Sequence, residues 1–520
     1  MQNHFFSIDP DRETNYRCIS KEGISTSQNN GRTMLHVTPD AIRNLTRDAF
    51  KEISFYLRTA YLEKIHNILS DGTSSKNDRF VAASLLKNAI IASKGIYPLC
   101  QDTGTANILA YKGESVFTGT DDTCAITDGV RETYTKENLR YSQMAPLDMF
   151  TEKNTNCNIP AYIDIASCEG DNYRFLFIAK GGGSSNKTAL FQETKALLNE
   201  SSLAVFLAEK IKAIGVAACP PYRICVVIGG LTPEQTLKTV KLGSACYLDS
   251  LPQTGSAEGH AYRDCAWEDK ILAMARSSGL GAQFGGTAFA VEARVIRLPR
   301  HAASCPVGIG VSCNADRAIK AKITCDGVFL EELDKNPERF SKSLIPHLKN
   351  NAPEISTESG IEQTCGMLSR YNKGDMIRLS GTLIVARDIA HAKIYEMLLS
   401  GKGIPEYFKK YPIYYAGPAK TPPGAVTGSF GPTTAQRMDV YLDEFMKNGA
   451  SLISIAKGNR SPSVAETCRK YGGFYLGTIG GAAALVAQEH IESSVVIDFE
   501  ELGMEAVRKI VVRDLPAFIM

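Results

Sequence analysis

Three cysteines stand in loop-forming sequence, outside any apolar repeat. They are Cys100 in YPLCQDTGT, Cys219 in AACPPY and Cys313 in GVSCNADR. Pro, Gly, Asp or Asn flank each one, which suits a ligand that needs a fixed thiolate near backbone N–H donors. For any single cysteine a buried structural role is the simpler interpretation, but the three together predict a three-thiolate site. On spacing alone, Cys305 in AASCPVG competes for the third position.

Three thiolates would leave one iron of a [4Fe-4S] cluster without a protein ligand. Such an iron acts as a Lewis acid on a substrate hydroxyl and carboxylate, which favours hydration chemistry over electron transfer. The fourteen cysteines include no CxxC pair, which argues against zinc ribbons, thioredoxin-like motifs and ferredoxin-type clusters. A metal centre in this chain must therefore gather its cysteines from distant loops.

Four cations in loop sequence are candidates for binding a dicarboxylate. They are Arg140 in NLRYS, Arg387 in VARDIAHAK, Arg437 in PTTAQRMD and Lys457 in AKGNR. A guanidinium group pairs with a carboxylate through two parallel hydrogen bonds and so orients a small symmetric molecule. A single loop arginine is more often solvated or ion-paired, so the prediction depends on the whole set.

Two glycine-rich segments follow predicted strands. GGGSSNKT nearly matches the phosphate-binding G-x4-G-K-[ST] pattern, but Asn186 replaces the second glycine. We therefore favour a backbone nest that receives a substrate carboxylate over a nucleotide site, with a plain tight turn as the alternative. GTIGGAAALVAQ lacks the dinucleotide-binding spacing, and close helix packing is the preferred interpretation.

The elements that must carry these loops follow from capping residues and periodicity. Thr38 and Pro39 predict the start of a helix with an apolar face that runs to Phe55. A second helix is predicted over residues 78–95. Strands are predicted for YRFLFIAK, RICVVIGG and ARVIRLP, and Thr232 begins another helix. This region is expected to be mixed α and β.

Periodicity fails over PERFSKSLIPHLKNNAPEISTESG, which is rich in Pro, Asn, Ser and Lys. We therefore predict one domain over residues 1–340, a linker over 341–360 and a second domain over 361–520. In the second domain the predicted strands are MIRLSGTLIVA, IYYAGPA, LISIAKG, FYLGTIG and residues 507–512, and the predicted helices are DIAHAKIYEMLL and one from Ser461. This alternation is typical of a compact α/β domain.

Composition excludes several classes of protein. The chain has 520 residues, 44% hydrophobic and 22% charged, which is ordinary for a globular protein and too long for one core. The net charge of +2 is spread evenly, so nucleic acid is not an expected partner, and no apolar run is long enough to span a membrane. The first residues carry acidic groups and no apolar core, so no targeting signal is expected. We expect reduced thiols and a cytoplasmic protein, or a mitochondrial one if the source is eukaryotic.

Nine motifs together resemble the class I, iron-sulfur-dependent fumarate hydratases. In chain order they are PLCQDTGT, NLRYSQMAPLDM, AKGGGSSNKT, AACPPY, RLPRHAASCPVGIGVSC, GTLIVARDIAHAK, IYYAGPAKTP, GSFGPTTAQRMD and AKGNRS. The resemblance extends from about Val37 to near the last residue. It implies reversible hydration of fumarate to L-malate in the tricarboxylic acid cycle. It also implies a homodimer with an N-terminal α/β cluster-binding domain and a C-terminal swivelling β/β/α domain.

The same resemblance assigns roles to individual residues. Cys100, Cys219 and Cys313 match the cluster ligands and Cys305 does not. Thr433 matches the base that removes the C3 proton of malate, and Asp102 matches the acid that assists departure of hydroxide. Without the resemblance, Thr433 would be interpreted as a turn threonine. The matching substrate-binding positions are Gln101, Arg140, Gly183, His301, Arg387, Arg437 and Lys457.

The sequence departs from the family pattern at a few positions, and related functions compete. Ser185 replaces the usual alanine, and Gln436 replaces the usual glycine before Arg437, which leaves the conformation of the Thr433 loop open. Hydro-lyases that act on L-tartrate or mesaconate share the cluster and arginines, but tartrate enzymes usually carry the two domains on separate chains. A cluster-based iron sensor is expected to lose the acid and base, and this chain keeps Asp102 and Thr433.

Overall fold

The computed structural model describes residues 14–349 and 351–520. Residues 1–13, which make up most of the segment predicted to lack a targeting signal, lie outside the described residues, as does residue 350 in the predicted linker. The described chain is a mixed α/β protein, as predicted, and it is built on three large sheets. Two of these sheets come from residues 16–331 and the third from residues 354–519.

A layer of helices begins the first part of the chain. The predicted helix start is confirmed, since the Thr38 hydroxyl accepts a hydrogen bond from the N–H of Ala41 and Pro39 is the first helical residue. The second predicted helix begins with a capping box formed by Ser75 and Asp78. The helices of this layer are Pro39–Phe55, Thr59–Ser70, Lys76–Ala92 and Asp122–Lys136.

A six-stranded sheet packs its apolar face on the helix Pro39–Phe55. Phe177 is fully buried and lies edge-on to Phe50, with ring centroids 5.7 Å apart. The predicted strand YRFLFIAK is confirmed at the middle of this sheet. In spatial order the strands are Tyr16–Ser20, Gly327–Glu331, Ala318–Thr324, Tyr173–Lys180, Thr105–Gly113 and Tyr162–Cys168.

A five-stranded sheet carries two of the three candidate cysteine loops at one end. Both remaining strands predicted in the first part of the chain are confirmed here. In spatial order the strands are Ala189–Glu193, Cys305–Ser312, Tyr222–Gly230, Ala290–Arg300 and Tyr262–Arg263. The helices that cover the sheet are Glu200–Ile214, Pro233–Ser244 and Cys265–Ser277, and Thr232 caps the second of them as predicted.

A seven-stranded sheet forms the core of the second part. In spatial order its strands are Glu354–Ser356, Met376–Val385, Ile413–Tyr414, Ile453–Ala456, Phe474–Gly477, Val507–Ile519 and Ile491–Asp498. The helices of this part are Ser341–Leu348, Ile361–Leu368, Asp388–Leu399, Glu406–Lys410, Asp439–Lys447, Pro462–Tyr471 and Ala483–Glu489. The first of these helices lies in the predicted linker and buries Leu344, while the domain boundary itself stays a prediction.

Smaller elements complete the described chain. The minor strands are Ile24–Asn29, Arg32–Val37, Val116–Phe117, Met144–Pro146, Glu152–Asn154, Ala416–Pro418 and Phe430–Pro432. One short α-helical turn, Gly182–Ser185, follows the strand Tyr173–Lys180 of the six-stranded sheet. The 3-10 segments are Lys195–Leu197, Pro337–Phe340, Ala435–Met438 and Glu500–Glu505.

The two parts of the chain are joined by polar contacts as well as packing. Asn88 of the helix Lys76–Ala92 accepts hydrogen bonds from the N–H groups of Ala484 and Leu485, at 2.8 and 3.0 Å. The same asparagine donates to the carbonyl of Leu99, just before Cys100. One buried residue therefore ties the start of the helix Ala483–Glu489 to the first cysteine loop.

Candidate active site between the two parts of the chain

Sheet register brings two of the three predicted ligand cysteines to the same place. Cys219 precedes the strand Tyr222–Gly230, and Cys313 follows the strand Cys305–Ser312. These strands pair antiparallel, with Arg223 opposite Ser312, so the start of one lies beside the end of the other. The N–H of Asn314 donates to the carbonyl of Cys219 at 3.0 Å, which links the two loops directly.

The Cys219 loop has an unusual backbone and an extensive set of hydrogen bonds. Cys219 adopts φ +64°, a left-handed conformation that costs energy for any residue with a Cβ and often occurs at functional sites. Gln283 and Asn314 both donate to the carbonyls of Pro220 and Gly480. Two side chains from loops of the first part therefore tie the Cys219 loop to Gly480 in the second part.

The Cys100 loop is fixed by hydrogen bonds on three sides. The N–H of Leu99 donates to the carbonyl of Ser54, and Ser429 donates to the carbonyl of Pro98 at 2.6 Å. Gln101 donates to the carbonyl of Pro432 at 3.0 Å. Cys100 itself is buried, and burial raises the pKa of its thiol to about 12. A thiol in this position needs a cation to become a thiolate.

Lys457 lies beside the cysteines. Its Nζ donates to Cys219 Sγ at 2.7 Å. Burial opposes the charge of Lys457, but the thiolates of Cys219, Cys100 and Cys313 outweigh it and raise the pKa of this lysine. All three predicted ligands therefore lie within electrostatic reach of one ammonium group.

Asp102 is held by the glycine loop that the sequence predicts to be a nest. Its Oδ2 accepts a hydrogen bond from the N–H of Gly182 at 2.8 Å, and Arg317 donates to its backbone carbonyl at 2.6 Å. In the next position, a Cβ added at Gly183 would lie 3.6 Å from Lys457 Nζ. The glycine turn thus binds the predicted acid, and it leaves no room for more than a small side chain between Gly183 and the lysine beside Cys219.

Thr433 lies in a loop that backbone hydrogen bonds join to Tyr415 on one side and to Lys457 on the other. Its N–H donates to the carbonyl of Tyr415 at 2.7 Å, and the N–H of Lys457 donates to its own carbonyl at 3.1 Å. Arg437 donates one Nη to the Thr433 hydroxyl and the other to Asp388 Oδ2, the latter at 2.9 Å. A cation therefore contacts the hydroxyl oxygen that the resemblance assigns as the base.

Gln436 leaves this loop regular. It lies in the 3-10 segment Ala435–Met438 with an exposed side chain, so the residue that replaces the usual glycine points away from the protein interior. The threonine and arginine on either side of it remain in direct contact.

Arg140 and Arg387 meet at a shared carboxylate. Each is only 8% exposed, and they come from the first and second parts of the chain. Arg140 Nη2 donates to Glu505 Oε1 at 2.6 Å, and Arg387 Nη1 lies 2.7 Å from the same oxygen. The fold thus brings together two guanidinium groups that the sequence shows only as separate residues.

His301 and Cys305 lie away from the other predicted site residues. Both are near the turn that joins the strands Ala290–Arg300 and Cys305–Ser312, at the opposite end of the sheet from Cys219 and Cys313. At about 3.3 Å per residue, a strand of this length separates them from Cys313 by roughly 25 Å. His301 is exposed, whereas Cys305 is fully buried in the apolar core between strands and helices.

Three residues of this site were missed in the sequence, namely Gly480, Glu505 and Arg317. Arg317 stands four residues after Cys313 in GVSCNADR and donates to the Asp102 carbonyl. A Cβ added at Gly480 would lie 2.4 Å from Cys219 Sγ, so the glycine run interpreted as helix packing instead allows close approach to a cysteine. The glycine signal was present, but its partner was not visible. Glu505 had no signal, because FEELGME contains three similar acidic residues.

Among the described residues, no three His, Cys, Asp or Glu side chains are arranged to share one metal ion. A cluster makes a different demand, since each thiolate binds its own iron. All fourteen cysteines lie in the described part of the chain as free thiols. Within that part, no helix has the length and apolar character needed to cross a membrane.

Comparison with known proteins gives matches along nearly the whole chain. Residues 43–322 match the family model "Fumarate hydratase (Fumerase)" and residues 327–520 match "Fumarase C-terminus". The class I aerobic fumarate hydratase of Escherichia coli K12 is 51% identical over 98% of this chain and 93% of its own length. Fumarate hydratase 2 of Leishmania major is 52% identical over 94% of this chain and 86% of its own. A putative L(+)-tartrate dehydratase beta subunit of Methanocaldococcus jannaschii is 37% identical over only 29% of this chain.

Proposed function

The chain belongs to the class I fumarate hydratase family, and on this premise we propose that it hydrates fumarate reversibly to L-malate at a [4Fe-4S] cluster. It is a hydro-lyase of the fumarase type. The observation that carries the cluster proposal is the set of contacts that joins the three cysteine loops. Lys457 donates to Cys219 Sγ, and Asn314 beside Cys313 donates to the Cys219 carbonyl. Asp102, two residues after Cys100, is bonded to the glycine turn next to Lys457. The substrate arginines lie on loops that contact the same site from both parts of the chain.

The three cysteines have the chemistry of cluster ligands. Their loops are fixed by backbone hydrogen bonds, and Lys457 and Arg317 supply positive charge near the thiolates. When bound, a [4Fe-4S] cluster with three thiolate ligands supplies a Lewis-acidic iron for the hydroxyl and one carboxylate of the substrate. Gly480 lacks a Cβ where its backbone packs against Cys219 Sγ, so the second ligand fits there without a clash.

Substrate carboxylates are proposed to bind the cations of the site. Arg140 and Arg387 are buried and close together, so they can orient a dicarboxylate through bidentate hydrogen bonds. Lys457 and Gly183 line the side nearest Cys219, and Gln101 lies directly after Cys100. The same site therefore offers separate contacts to two ends of a small molecule.

Proton transfer is proposed to involve Thr433 and Asp102. A threonine hydroxyl is a weak base, and Arg437 in contact with its oxygen stabilises the alkoxide form. Arg437 is in turn held by Asp388. Asp102 is fixed by Gly182 and lies two residues after Cys100, where it can donate a proton to the departing hydroxide.

A homodimer is part of the proposal, and His301 supports it. This histidine is exposed and roughly 25 Å of strand away from Cys313 in its own chain. A substrate-binding role for His301 therefore requires a second copy. Leu147, Met149 and Phe150 form an exposed apolar hairpin tip shortly after Arg140, which is typical of an interaction surface.

Mixed dimers test this assignment. Chains with Cys219→Ser and chains with His301→Ala should each be inactive alone. If His301 acts on the partner's site, mixing the two should restore up to half of the parent activity, because one complete site forms per mixed dimer. Absence of recovery in a verified mixed dimer would show that His301 has no role across the interface.

The function itself is tested by anaerobic assay of reconstituted protein with fumarate, mesaconate and L-tartrate. We expect about four irons and four sulfides per chain and the highest kcat/KM with fumarate. A higher kcat/KM with L-tartrate than with fumarate would identify L-tartrate as the preferred substrate. A bound cluster without turnover of any of the three compounds would favour an iron sensor. A cytoplasmic location and a place in the tricarboxylic acid cycle stay predictions.

A further inference from the structure

A carboxylate of the chain itself lies between the two buried arginines. Glu505 Oε1 accepts a hydrogen bond from Arg140 at 2.6 Å and lies 2.7 Å from Arg387 Nη1. Among the described residues, Glu505 is the acidic partner of Arg140, and Asp388 adds only a 4.0 Å contact to Arg387. One glutamate therefore accounts for most of the pairing of both arginines.

The connection that carries Glu505 is built to hold it in place. It is the 3-10 segment Glu500–Glu505, between two neighbouring strands of the seven-stranded sheet. The segment begins at Phe499 with φ +52° and turns again at Gly503 with φ +59°. Glu501 pairs with Lys393 of the helix Asp388–Leu399, which starts immediately after Arg387. The segment that carries Glu505 therefore lies beside the helix that follows Arg387, and the exposed Glu501–Lys393 ion pair contributes little to its stability.

Several buried polar atoms around this contact have no hydrogen-bond partner within the described chain. They are Arg140 Nε, Arg387 Nε, Arg387 Nη1 and Glu505 Oε2. Arg387 Nη1 forms an ion pair with Glu505, but the pair lacks hydrogen-bond geometry. Buried guanidinium groups rarely leave their donors unused, because an unpaired charged group is costly to bury. The two arginines therefore keep N–H donors for a further acceptor in addition to Glu505.

Charge balance sets what that acceptor is. Two guanidinium groups and one carboxylate leave a net charge of +1, since Arg437 compensates Asp388 and Arg317 compensates Asp102 nearby. One further carboxylate group would neutralise the array. Without Glu505, two buried like charges would repel each other and lose their common spacing.

We propose that Glu505 is a positioning residue that holds Arg140 and Arg387 at one spacing, so that the pair binds one carboxylate of the substrate. The inference rests on the proposed function. Glu505 acts through the arginines and takes no part in proton transfer. The alternative is that Glu505 merely occupies the place of a substrate carboxylate and competes with it, and the two ideas predict opposite changes in affinity.

The pH dependence of substrate binding adds a second readout. Burial raises the pKa of Glu505, and the charge of Arg387 opposes this shift. The ionised form is the one that pairs both arginines, so KM should rise as the pH falls through this raised pKa. The charged groups that face Glu505 are Arg140, Arg387, Asp388, Arg437 and Asp102.

The test compares cluster-loaded parent protein with Glu505→Gln, Glu505→Asp and Glu501→Gln. Glu505→Gln should raise KM for fumarate about tenfold or more and weaken the calorimetric affinity for succinate equally, with kcat within about threefold. Its rise in KM at low pH should be reduced relative to the parent. Glu505→Asp keeps the charge and should recover part of the affinity. Glu501→Gln alters the same segment without touching the arginines and should match the parent.

Unchanged or tighter succinate binding in Glu505→Gln would overturn the proposal, and tighter binding would identify Glu505 as a competitor. Loss of the cluster spectrum or of folded protein in both Glu505 variants would make the residue structural and would also overturn it. Succinate binding does not require turnover. A parent that binds succinate through Glu505 but does not hydrate fumarate would therefore support this inference and overturn the proposed function.

Discussion

The two ends of the site are held by different kinds of interaction. At the cysteine end, the loops of Cys100 and Cys219 are fixed mainly by hydrogen bonds to backbone carbonyls, from residues such as Asn88, Gln283 and Asn314. At the arginine end, the residues are fixed by ion pairs between side chains. Backbone-held loops have one geometry, whereas long charged side chains can adjust.

This difference indicates at which end of the site a substitution should reduce activity more strongly. A change at the cysteine end removes a ligand that no neighbour can replace. A change at the arginine end weakens one of several charge contacts and should give a graded loss.

Replacing Cys219 should abolish activity. Loss of a residue that only orients a metal ligand already costs 10–100-fold, so loss of the ligand itself in Cys219→Ser should exceed about 100-fold. Iron content should fall with activity. Cys305→Ser is the matched control, because Cys305 is buried at the far end of the same sheet. Equal iron content in Cys219→Ser and the parent would remove Cys219 from the ligand set.

Replacing Thr433 should separate chemistry from binding. Thr433→Ala should reduce kcat by about 100-fold, the lower end of what a positioned acid or base contributes, with little change in KM. Exchange of the C3 hydrogen of malate with solvent deuterium should be lost, while added malate still perturbs the cluster spectrum. Thr434→Ala is the control, since the Thr434 side chain makes no capping hydrogen bond. Exchange at the parent rate would identify another base.

Replacing Arg387 should give the graded loss expected at the arginine end. Arg387→Lys keeps the charge but loses the planar fork, so KM for fumarate should rise about tenfold with a smaller change in kcat. Arg378→Lys alters an arginine paired with Asp514 on the seven-stranded sheet and is the control. If kcat and KM both stay at the parent values, Arg387 has a structural role only.

Local sequence signals predicted much of the fold. Thr38 with Pro39 located a helix start, and the predicted helix DIAHAKIYEMLL coincides with Asp388–Leu399. Predictions failed where a strand changes sheet. IYYAGPA was expected as one strand, but it divides at Tyr415 into Ile413–Tyr414 in the large sheet and Ala416–Pro418 in a two-stranded sheet. Periodicity cannot show such a change, because both pieces are buried.

The last strand is longer than predicted for a similar reason. It was expected over residues 507–512 and extends to Ile519, past Asp514 with φ +50° and Pro516. Both residues argue locally against a strand. Pairing with Met376–Val385 on both sides of a register shift maintains it. Long-range hydrogen bonds here outweigh local propensity.

The candidate site was predictable in its residues and unpredictable in its contacts. Loop cysteines and arginines stand out by type and flanking residues. Glu505 does not, because its contact with Arg140 joins positions 365 residues apart through a connection between two strands. The separation of His301 from Cys313 likewise follows only from strand register.

The smallest expected effect on catalysis accompanies the acid stability of the arginine end. His391 is buried in the helix that follows Arg387, and its Nδ1–H donates to the Arg387 carbonyl at 2.8 Å. Its Nε2 has no partner among the described residues, and burial lowers the pKa of His391 to about 4. An unfolded histidine titrates near 6.5 and therefore binds the proton first as the pH falls. The stability that neutral, buried His391 contributes is thus fully present above pH 6.5 and declines toward pH 4, by about 2 kcal/mol at pH 5.

His391→Asn can keep the donor and cannot titrate, so its urea midpoint should fall less between pH 7 and 5 than that of the parent. The exposed His36→Asn should behave as the parent. Native His391 stays neutral until the pH approaches 4, so its replacement should leave the pH dependence of KM for fumarate as in the parent. A changed KM profile in His391→Asn would show that this histidine acts on Arg387 and not on stability alone.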